Sequence, residues 1–318
     1  MSVVDAHLHL NLNGFSVKTL IRYLDKERID FCWLLTWEEV SPGLWPYQHL
    51  SVEDVYEAYL KHPSRIIPFY APDPHNSNAS QQLESWYEKG IRGCGELKAT
   101  INWNSDKVKS ILQTTRRLKL PIVFHMEESE CRYIPYSNNI YDKLIYCGLK
   151  TKRKIYQVPR KVLQTLVNSF KPLRNRSKSY FFPGYMLDFA SLERTLRDYP
   201  DVNLVAHGPM FWKYISSNAL EQIEESSVGQ VHGEGIIWRL LRNYPNLYAD
   251  ISGNSGLNAL ARDPQNAKKF LTVFADKILY GTDNVMKNQR EFLDSLRLSK
   301  STYKKIYGEN VCLISKIN

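Results

Sequence analysis

Two histidines near the start of the chain stand two residues apart, within Asp5-Ala6-His7-Leu8-His9. Residues i and i+2 of a β-strand face the same way, so both imidazoles can reach one metal ion. Imidazole nitrogen is a common ligand of zinc, copper, iron and nickel. Taken alone the pair is a weak signal, because two of eight histidines readily fall at this spacing by chance.

Polar side chains also close four later strand-like runs. They are Glu96 and Lys98 in the fourth run, His125 in the fifth, His207 in the sixth and Asp283 in the eighth. In a barrel of parallel strands the carboxyl ends share one face, where the chemistry is done. The sequence therefore predicts one site built from imidazoles and carboxylates. The remaining histidines fall in predicted loops or helix ends and are given no role: His49, His62, His75 and His232.

Each of these residues also has a purely structural interpretation. Either His125 or His207, taken alone, is most simply a hydrogen-bonded histidine beside a core strand. Asp283 could cap the next helix, a common position for aspartate. Glu96 could form an ion pair with Lys98 on the same face of its strand. Because all of them fall at strand ends, we favour a metal or proton-transfer role for Asp283 and leave Glu96 open.

Eight strand-like runs alternate with segments of helical hydrophobic spacing. Eight such units in 318 residues match an α/β fold of the (β/α)8 TIM-barrel type, whereas a doubly wound sheet normally has fewer strands. The predicted strands are 3–8, 29–37, 65–71, 91–97, 121–125, 202–207, 247–251 and 278–282. The predicted helices include 17–26, one that opens at Ser51 with Asp54 as a capping box, 82–89, 106–118, 187–199 and 259–274.

Residues 127–184 interrupt this alternation between the fifth strand and its helix. Within them, 143–178 carries 11 basic residues and no acid. Amphipathic patterns at 144–149 and 162–170 predict an ordered, partly helical basic cap, and a flexible loop is the alternative. We therefore expect a single domain over 1–318 with an inserted cap at 127–184.

The composition is typical of a soluble protein. Hydrophobic residues make up 43% of the chain, enough for a large core, and no apolar run is long enough to span a membrane. The start of the chain does not resemble a secretory signal. Five scattered cysteines indicate neither a disulfide framework nor a zinc knuckle. We expect a cytoplasmic protein, and the aromatic content of 12% is compatible with a homodimer.

Five segments match the pattern of one known family. They are Val4-Asp5-Ala6-His7-Leu8-His9, Pro121-Ile122-Val123-Phe124-His125, Asn203-Leu204-Val205-Ala206-His207-Gly208, Tyr280-Gly281-Thr282-Asp283 and Ile306-Tyr307-Gly308-Glu309-Asn310. Through them the chain resembles the amidohydrolase superfamily, in the branch of amidohydrolase-related barrels that includes aromatic-acid decarboxylases and lactonases. The resemblance covers nearly the whole chain. It implies that His207 binds a second metal or polarises the substrate, and that four residues are metal ligands: His7, His9, His125 and Asp283.

The fourth strand departs from the best-known dinuclear members of that superfamily, in which a lysine there carries a carbamate that bridges two metals. Here the strand offers Glu96 and, two residues later, Lys98. A glutamate bridges in some branches, so Glu96 is a candidate ligand and the number of ions, one or two, is left open. Zinc suits three imidazoles best, and manganese and iron are the alternatives.

Together these assignments predict a hydrolase that uses metal-activated water. A divalent ion with an open position lowers the pKa of a coordinated water from about 16 to near 7. In this hypothesis three imidazoles hold the ion, those of His7, His9 and His125. Asp283 takes the proton of the water, and His207 stabilises charge on the attacked carbonyl oxygen. The expected reaction is hydrolysis of a C–N or C–O bond, in an amide, lactone or ester.

Four further residues are predicted to contact the substrate: Lys98, Trp103, Arg132 and Trp212. They lie in or after strand ends, and the basic cap is expected above the same mouth, so the sequence favours a small acidic or aromatic molecule. For Trp103 and Trp212, packing in the core is an equally good interpretation.

Other functions stay open beside hydrolysis. In this branch of the superfamily much the same metal shell supports non-oxidative decarboxylation of an aromatic or related acid, which is the main alternative; a nuclease ranks below both. The alternative of another class is a protein that binds nucleic acid through 143–178. We disfavour it because few rings there could stack on bases: Tyr146, Tyr156 and Phe170. The expected partner is a small-molecule substrate, and a membrane is not expected.

Overall fold

The computed structural model describes residues 2–12, 14–38, 49–128, 130–135, 177–182, 184, 188–219, 229–284 and 288–315, with only the backbone described for 130–135 and 177–182. The chain divides into two compact units. The first comprises Met1–Val40, Gln48–Glu127 and Tyr185–Asn318. The second comprises Ser41–Tyr47 and Glu128–Gly184.

Eight strands of the first unit run parallel and confirm the eight predicted strands. In chain order the ten described strands are β1 Val4–His9, β2 Phe31–Leu35, β3 Ile66–Pro68, β4 Cys94–Leu97, β5 Ile122–His125, β6 Glu130–Pro135, β7 Ser177–Phe182, β8 Leu204–His207, β9 Leu247–Asp250 and β10 Ile278–Leu279. β6 and β7 belong to the second unit, so β8, β9 and β10 are the sixth, seventh and eighth strands of the first. The parallel orders are β1-β2-β3 and β10-β9-β8-β5-β4.

Backbone hydrogen bonds join these two sheets into a closed barrel. The amide of Tyr70, just after β3, donates to the carbonyl of Gly93 before β4 at 3.0 Å. On the other side, the amide of Ala6 in β1 donates to the carbonyl of Tyr280 after β10 at 2.9 Å. The expected (β/α)8 TIM barrel is therefore confirmed.

Helices follow the strands around the barrel. The described helices are α1 Val17–Lys26, α2 Val52–Lys61, α3 Ala79–Lys89, α4 Asp106–Leu118, α5 Phe189–Asp198, α6 Pro209–Lys213, α7 Ile236–Asn243, α8 Gly253–Ala261, α9 Pro264–Val273, α10 Gln289–Ser295, α11 Lys300–Lys304 and α12 Asn310–Ser315. The predicted cap of α2 is confirmed, because the hydroxyl of Ser51 accepts the amide of Asp54 at 3.3 Å. A π-helical turn, Lys305–Glu309, connects α11 to α12.

The helix expected over 259–274 is wrong as a single element, since α8 ends at Ala261 and α9 begins at Pro264. Proline has no amide hydrogen and its ring clashes with the carbonyl four residues earlier, so it starts a helix well but interrupts one. Asp263 caps the new helix, and its carboxylate accepts the amide of Asn266 at 3.0 Å. The apolar spacing that predicts the element therefore continues across a break.

The barrel interior is filled by side chains from nearly every strand, which is the usual way a barrel of this size is packed. They are Val4, Ala6, Trp33, Leu35, Ile67, Phe69, Val123, Val205, Tyr248 and Leu279. Val311 and Ile314 of α12 belong to the same cluster, so this helix covers the amino-terminal end of the barrel. The side chain of Asn310 fixes α12 there by donating to the carbonyls of Ala275 and Ile278 at 2.7 and 2.8 Å.

In the second unit β6 and β7 pair as an antiparallel ribbon, from Glu130 opposite Phe182 to Pro135 opposite Ser177. The unit takes in most of the segment predicted as an inserted cap. The expected helices at 144–149 and 162–170 lie outside the described residues, so the cap stays a prediction. Among the described helices, none has the length and apolarity that crossing a membrane requires.

Candidate metal centre

The first strand presents two histidines to the carboxyl end of the barrel. β1 pairs irregularly with β2 between Asp5 and Leu8. Strict alternation would turn His7 outward, because its neighbour Ala6 packs in the interior cluster. The irregularity lets Ala6 and His7 both face inward, with Leu8 in the outer core. His7 and His9 then lie on the same side, as the sequence predicts.

The fourth strand uses the same device to present Glu96. Its pairing with β5 shifts between Cys94 and Leu97, and both of these side chains pack in the outer core. Gly95 and Glu96 between them lie on the interior side. A Cβ atom at Gly95 would lie 2.8 Å from Cβ of Val123, so only glycine fits beside the buried carboxylate.

Four side-chain atoms converge on one small volume. The Nε2 atoms of His7 and His9 lie 3.1 Å apart. Oε2 of Glu96 lies 3.6 and 3.4 Å from them, and Oδ1 of Asp283 lies 3.9 and 3.4 Å from them. Ligand atoms about 2.1 Å from one ion are separated by about 3 to 3.5 Å in a tetrahedral site. His7, His9 and Glu96 form a group that could hold a divalent metal ion, and Asp283 adds a fourth candidate ligand beside the two imidazoles.

The other oxygen of Glu96 faces a second group. Its Oε1 lies 2.6 Å from Nδ1 of His125 and 3.9 Å from Nε2 of His207. Glu96 therefore belongs to two candidate three-ligand groups in the described part of the chain, one with His7 and His9 and one with His125 and His207. That His125 shares an ion with His7 and His9, as expected from the sequence, stays a prediction.

Asp283 ends the circuit of strands and is 28% exposed. Its backbone has a left-handed φ of 53°, and its amide donates to the carbonyl of His7 at 2.8 Å. The next described helix begins at Gln289 with Asn288 as its cap, so Asp283 does not cap that helix. The neighbouring Asn284 fixes the loop onto β1, accepting the amide of His9 and donating to its carbonyl, both at 2.8 Å.

Asp250 is a site residue that the sequence analysis missed. It ends β9, is fully buried, and places one carboxylate oxygen 3.0 Å from Nδ1 of His7 and the other 2.9 Å from Nδ1 of His207. The signal was available, because the seventh predicted strand carries a carboxylate one residue before its end and the rule applied to the other strands selects it.

Opposite charges keep the carboxylates of the cluster ionised. Burial alone would raise the pKa of Asp250, but the imidazoles of His207 and His7 lower it below its usual range. Burial would likewise raise the pKa of Glu96, yet Lys98 and His125 hold it well below the usual value. A concentration of ionised carboxylates in a buried site attracts a cation.

Lys98 pairs with Glu96, which is the structural alternative for this residue. Its Nζ atom lies 3.1 Å from Oε2 of Glu96 and 3.6 Å from the centre of the Trp37 ring. The side chain is only 9% exposed, and the ammonium gains from both the carboxylate and the π-face. Contact with a substrate stays a prediction for Lys98.

Trp103 and Trp212 were predicted to contact the substrate, and the structure buries both in the hydrophobic core. Trp103 is 2% exposed and packs edge-on against Phe124 with ring centres 5.2 Å apart. Trp212 is 0% exposed, and its indole N–H donates to the main-chain carbonyl of Asp250 at 3.0 Å. The packing alternative therefore accounts for both rings. Arg132 lies in β6, and its side chain is outside the described residues.

Comparison with known proteins identifies the family of the chain. A family model described as amidohydrolase, Amidohydro_2, matches residues 48–310. Among curated proteins, no sequence matches this chain.

Three solved structures illustrate the likeness of the fold. An uncharacterised TIM-barrel protein from Bordetella bronchiseptica has 15% identity and a TM-score of 0.56, over 99% of this chain and 98% of that chain. A probable 2-pyrone-4,6-dicarboxylic acid hydrolase from Acinetobacter baumannii, solved with citric acid, has 12% identity and a TM-score of 0.54, over 99% and 100%. A dihydroxybenzoic acid decarboxylase from Polaromonas sp. JS666, solved with manganese and 2-nitroresorcinol, has 14% identity and a TM-score of 0.52, over 100% and 97%. Because the family model spans most of the chain, the chain belongs to the amidohydrolase family.

Proposed function

We propose that this protein is a metal-dependent hydrolase that cleaves a C–N or C–O bond in a small carboxylated substrate. The observation that carries the proposal is the convergence on the Nε2 atoms of His7 and His9, which lie 3.1 Å apart, of one oxygen each from Glu96 and Asp283 at 3.4 to 3.9 Å. The site opens through Asp283, the most exposed of the four. The substrate class rests on the basic segment 143–178 and on structural neighbours that act on carboxylated molecules.

The donor set favours a harder ion than the sequence suggests. Two carboxylates, those of Glu96 and Asp283, lie beside the two imidazoles of β1, and carboxylates suit manganese while imidazoles suit zinc and iron. A structural neighbour of the same fold was solved with manganese. We therefore propose manganese and zinc as the two leading candidates, with iron after them, and a second ion on the Glu96, His125 and His207 group.

A divalent ion in this place would supply Lewis acidity to the substrate and to water. Asp283 is suited to both of its predicted roles, because its Oδ1 faces His7 and His9 while its Oδ2 lies 3.9 Å from Nε2 of His207. One oxygen can hold the ion as the other accepts a proton. His207 then faces the reacting group and balances negative charge that develops there.

Decarboxylation is the second candidate, because a neighbour that spans nearly the whole chain is a decarboxylase. In that reaction Asp283 and His207 would take part in transferring a proton to the substrate carbon, whereas in hydrolysis the proton comes from water. The same residues serve both reactions, so the products decide between them.

The test is to load the purified protein with manganese or zinc and to assay lactones, amides and carboxylated aromatics for acid release and for carbon dioxide. Acid release without carbon dioxide supports hydrolysis, and carbon dioxide from an aromatic acid supports decarboxylation. Asp283→Asn should keep the metal and lose either activity, whereas His232→Ala, an exposed histidine outside the cluster, should keep both. A parent protein that binds neither metal would contradict the proposal.

A further inference from the structure

Asp250 lies behind the candidate metal centre, and each of its two carboxylate oxygens faces a different imidazole. Oδ2 lies 3.0 Å from Nδ1 of His7 on β1, and Oδ1 lies 2.9 Å from Nδ1 of His207 on β8. The two rings lie 4.3 Å apart, centre to centre. One side chain from β9 thus contacts two site residues on different strands.

We propose that Asp250 is a positioning residue that holds His7 and His207 with their Nδ1 protons toward it and their Nε2 atoms toward Glu96 and Asp283. An ionised carboxylate accepts hydrogen bonds and cannot donate them, so both Nδ1 atoms must carry a proton. This fixes which nitrogen of each ring is directed at the centre and also fixes the plane of each ring. The expected effect on metal affinity rests on the proposed function. The positions of the two Nδ1 protons do not depend on it.

Asp250 is itself rigidly held. The amide of Ser252 donates to its Oδ1 at 3.1 Å, and the hydroxyl of Ser252 donates to the same oxygen, so the Ser252 oxygen, 3.0 Å from Nδ1 of His207, is a second acceptor for the proton on that nitrogen. The indole of Trp212 donates to its main-chain carbonyl at 3.0 Å. These hydrogen bonds fix the orientation of the Asp250 carboxylate relative to β9. The carboxylate in turn fixes the orientation of the two rings.

The remaining imidazole of the β1 pair is oriented by the backbone instead. Nδ1 of His9 lies 3.0 Å from the carbonyl oxygen of Leu35 in β2. The Nε2 atoms of His7 and His9 are thus set by different partners, a side chain for one and a main-chain oxygen for the other. A substitution at Asp250 should therefore release His7 and His207 and leave His9 in place.

Removing a partner behind a metal-binding histidine typically weakens metal affinity by about 10- to 100-fold. Asp250→Asn preserves size but offers one carbonyl oxygen and one amide, so this side chain can then accept from only one of the two rings. A matched control is Asn246→Ala. Asn246 is a buried polar residue at the opposite end of β9, where it donates to the carbonyls of Leu196, Tyr199 and Val202.

The experiment records imidazole ¹⁵N and ring-proton NMR spectra of the metal-free protein and then titrates it with Mn²⁺. In the unsubstituted protein both His7 and His207 should carry a proton on Nδ1, whatever the state of Nε2. In Asp250→Asn at least one of the two rings should lose it, with Mn²⁺ affinity reduced about 10- to 100-fold. Asn246→Ala should lose thermal stability and keep both ring protons and Mn²⁺ affinity within twofold.

The outcomes separate the two proposals. An Nδ1 atom without a proton on either ring of the unsubstituted protein overturns the role of Asp250, even if no variant folds. Retention of both protons in Asp250→Asn together with unchanged Mn²⁺ affinity overturns it as well. If the ring protons behave as expected but the unsubstituted protein binds neither Mn²⁺ nor Zn²⁺, the positioning role stands and the metal centre is rejected.

Discussion

Oε1 of Glu96 lies 2.6 Å from Nδ1 of His125, while Oε2 of the same carboxylate faces the two histidines of β1. A single buried side chain therefore connects both halves of the candidate centre. Lys98 balances part of its charge from the side, 3.1 Å from Oε2. The charged groups of the cluster interact as one network, so a substitution at Glu96 would alter the hydrogen bonding and charge environment of each neighbouring imidazole.

Metal binding should stabilise the folded chain. Mn²⁺ at about 100 times its dissociation constant should raise the free energy of unfolding by about 2.7 kcal/mol, because the ion binds the folded state alone. Thermal and chemical denaturation with and without the ion measure this. His7→Ala should abolish the gain, and His232→Ala should keep it. An equal gain in His7→Ala would place the ion elsewhere.

Gly253 should prove essential to the position of Asp283. Its φ is +68°, and a Cβ atom there would lie 3.0 Å from Oδ2 of Asp283 and 3.6 Å from Cε1 of His207. Gly253→Ala should cost about 1–2 kcal/mol of stability for the left-handed backbone and should also reduce turnover at least tenfold. Gly14→Ala is the control, because Gly14 has a φ of +81° with nothing near its missing Cβ.

Gly14→Ala should therefore show the same loss of stability with normal turnover. If both alanine variants turn over substrate equally well, the close approach of the new Cβ atom at position 253 to Asp283 does not affect catalysis. Steady-state kinetics combined with urea denaturation distinguish the two effects.

Stability should fall at acid pH partly through Glu193. Arg239 binds this carboxylate with two hydrogen bonds, at 2.6 and 2.9 Å, and lowers its pKa to about 2. A lowered carboxyl pKa stabilises the folded state above the usual value of 4.5, and the contribution is lost as pH falls toward 2. Both side chains are partly exposed, so the pair is worth at most about 1 kcal/mol.

Glu193→Gln should accordingly destabilise the protein at pH 7 and make little difference near pH 2. The free energy of unfolding measured against pH gives the comparison, with Glu88→Gln, an exposed acid of α3, as the control. A loss in Glu193→Gln that is the same at every pH would contradict the assignment to ionisation.

Asn310 should contribute strongly to stability at the amino-terminal end of the barrel. Replacing it by alanine leaves two buried carbonyls, those of Ala275 and Ile278, without this donor and should cost about 1–3 kcal/mol. Asn258→Ala on the exposed face of α8 should change stability by less than about 0.5 kcal/mol. Equal effects of the two substitutions would show that the contact is unimportant.

Much of the fold could be predicted because hydrophobic periodicity and helix-starting residues are local properties of the chain. The eight strands and the start of α2 at Ser51 follow from such signals. Pro264 itself is a local signal for the break between α8 and α9, but the apolar spacing continues through it and favours a single helix. Residues 136–176 lie outside the described part of the chain, so the helices expected there stay predictions.

The sequence predicts which residues lie at the candidate site better than it predicts how they are grouped there. His7, His9 and Asp283 meet because the ends of parallel strands meet, whereas the grouping of His125 with Glu96 depends on irregular strand pairing that no spacing rule reveals. Trp103 and Trp212 follow strand ends as expected, but sequence position does not tell whether a ring faces a cavity or the core.

The attachment of Asn284 to His9 has a consequence for how the protein is made. The two residues are 275 positions apart, and the hydrogen bonds between them complete the wall of the centre. Synthesis must therefore pass residue 284 before this wall can form, and a chain that stops short of Asp283 carries the histidines of β1 without it.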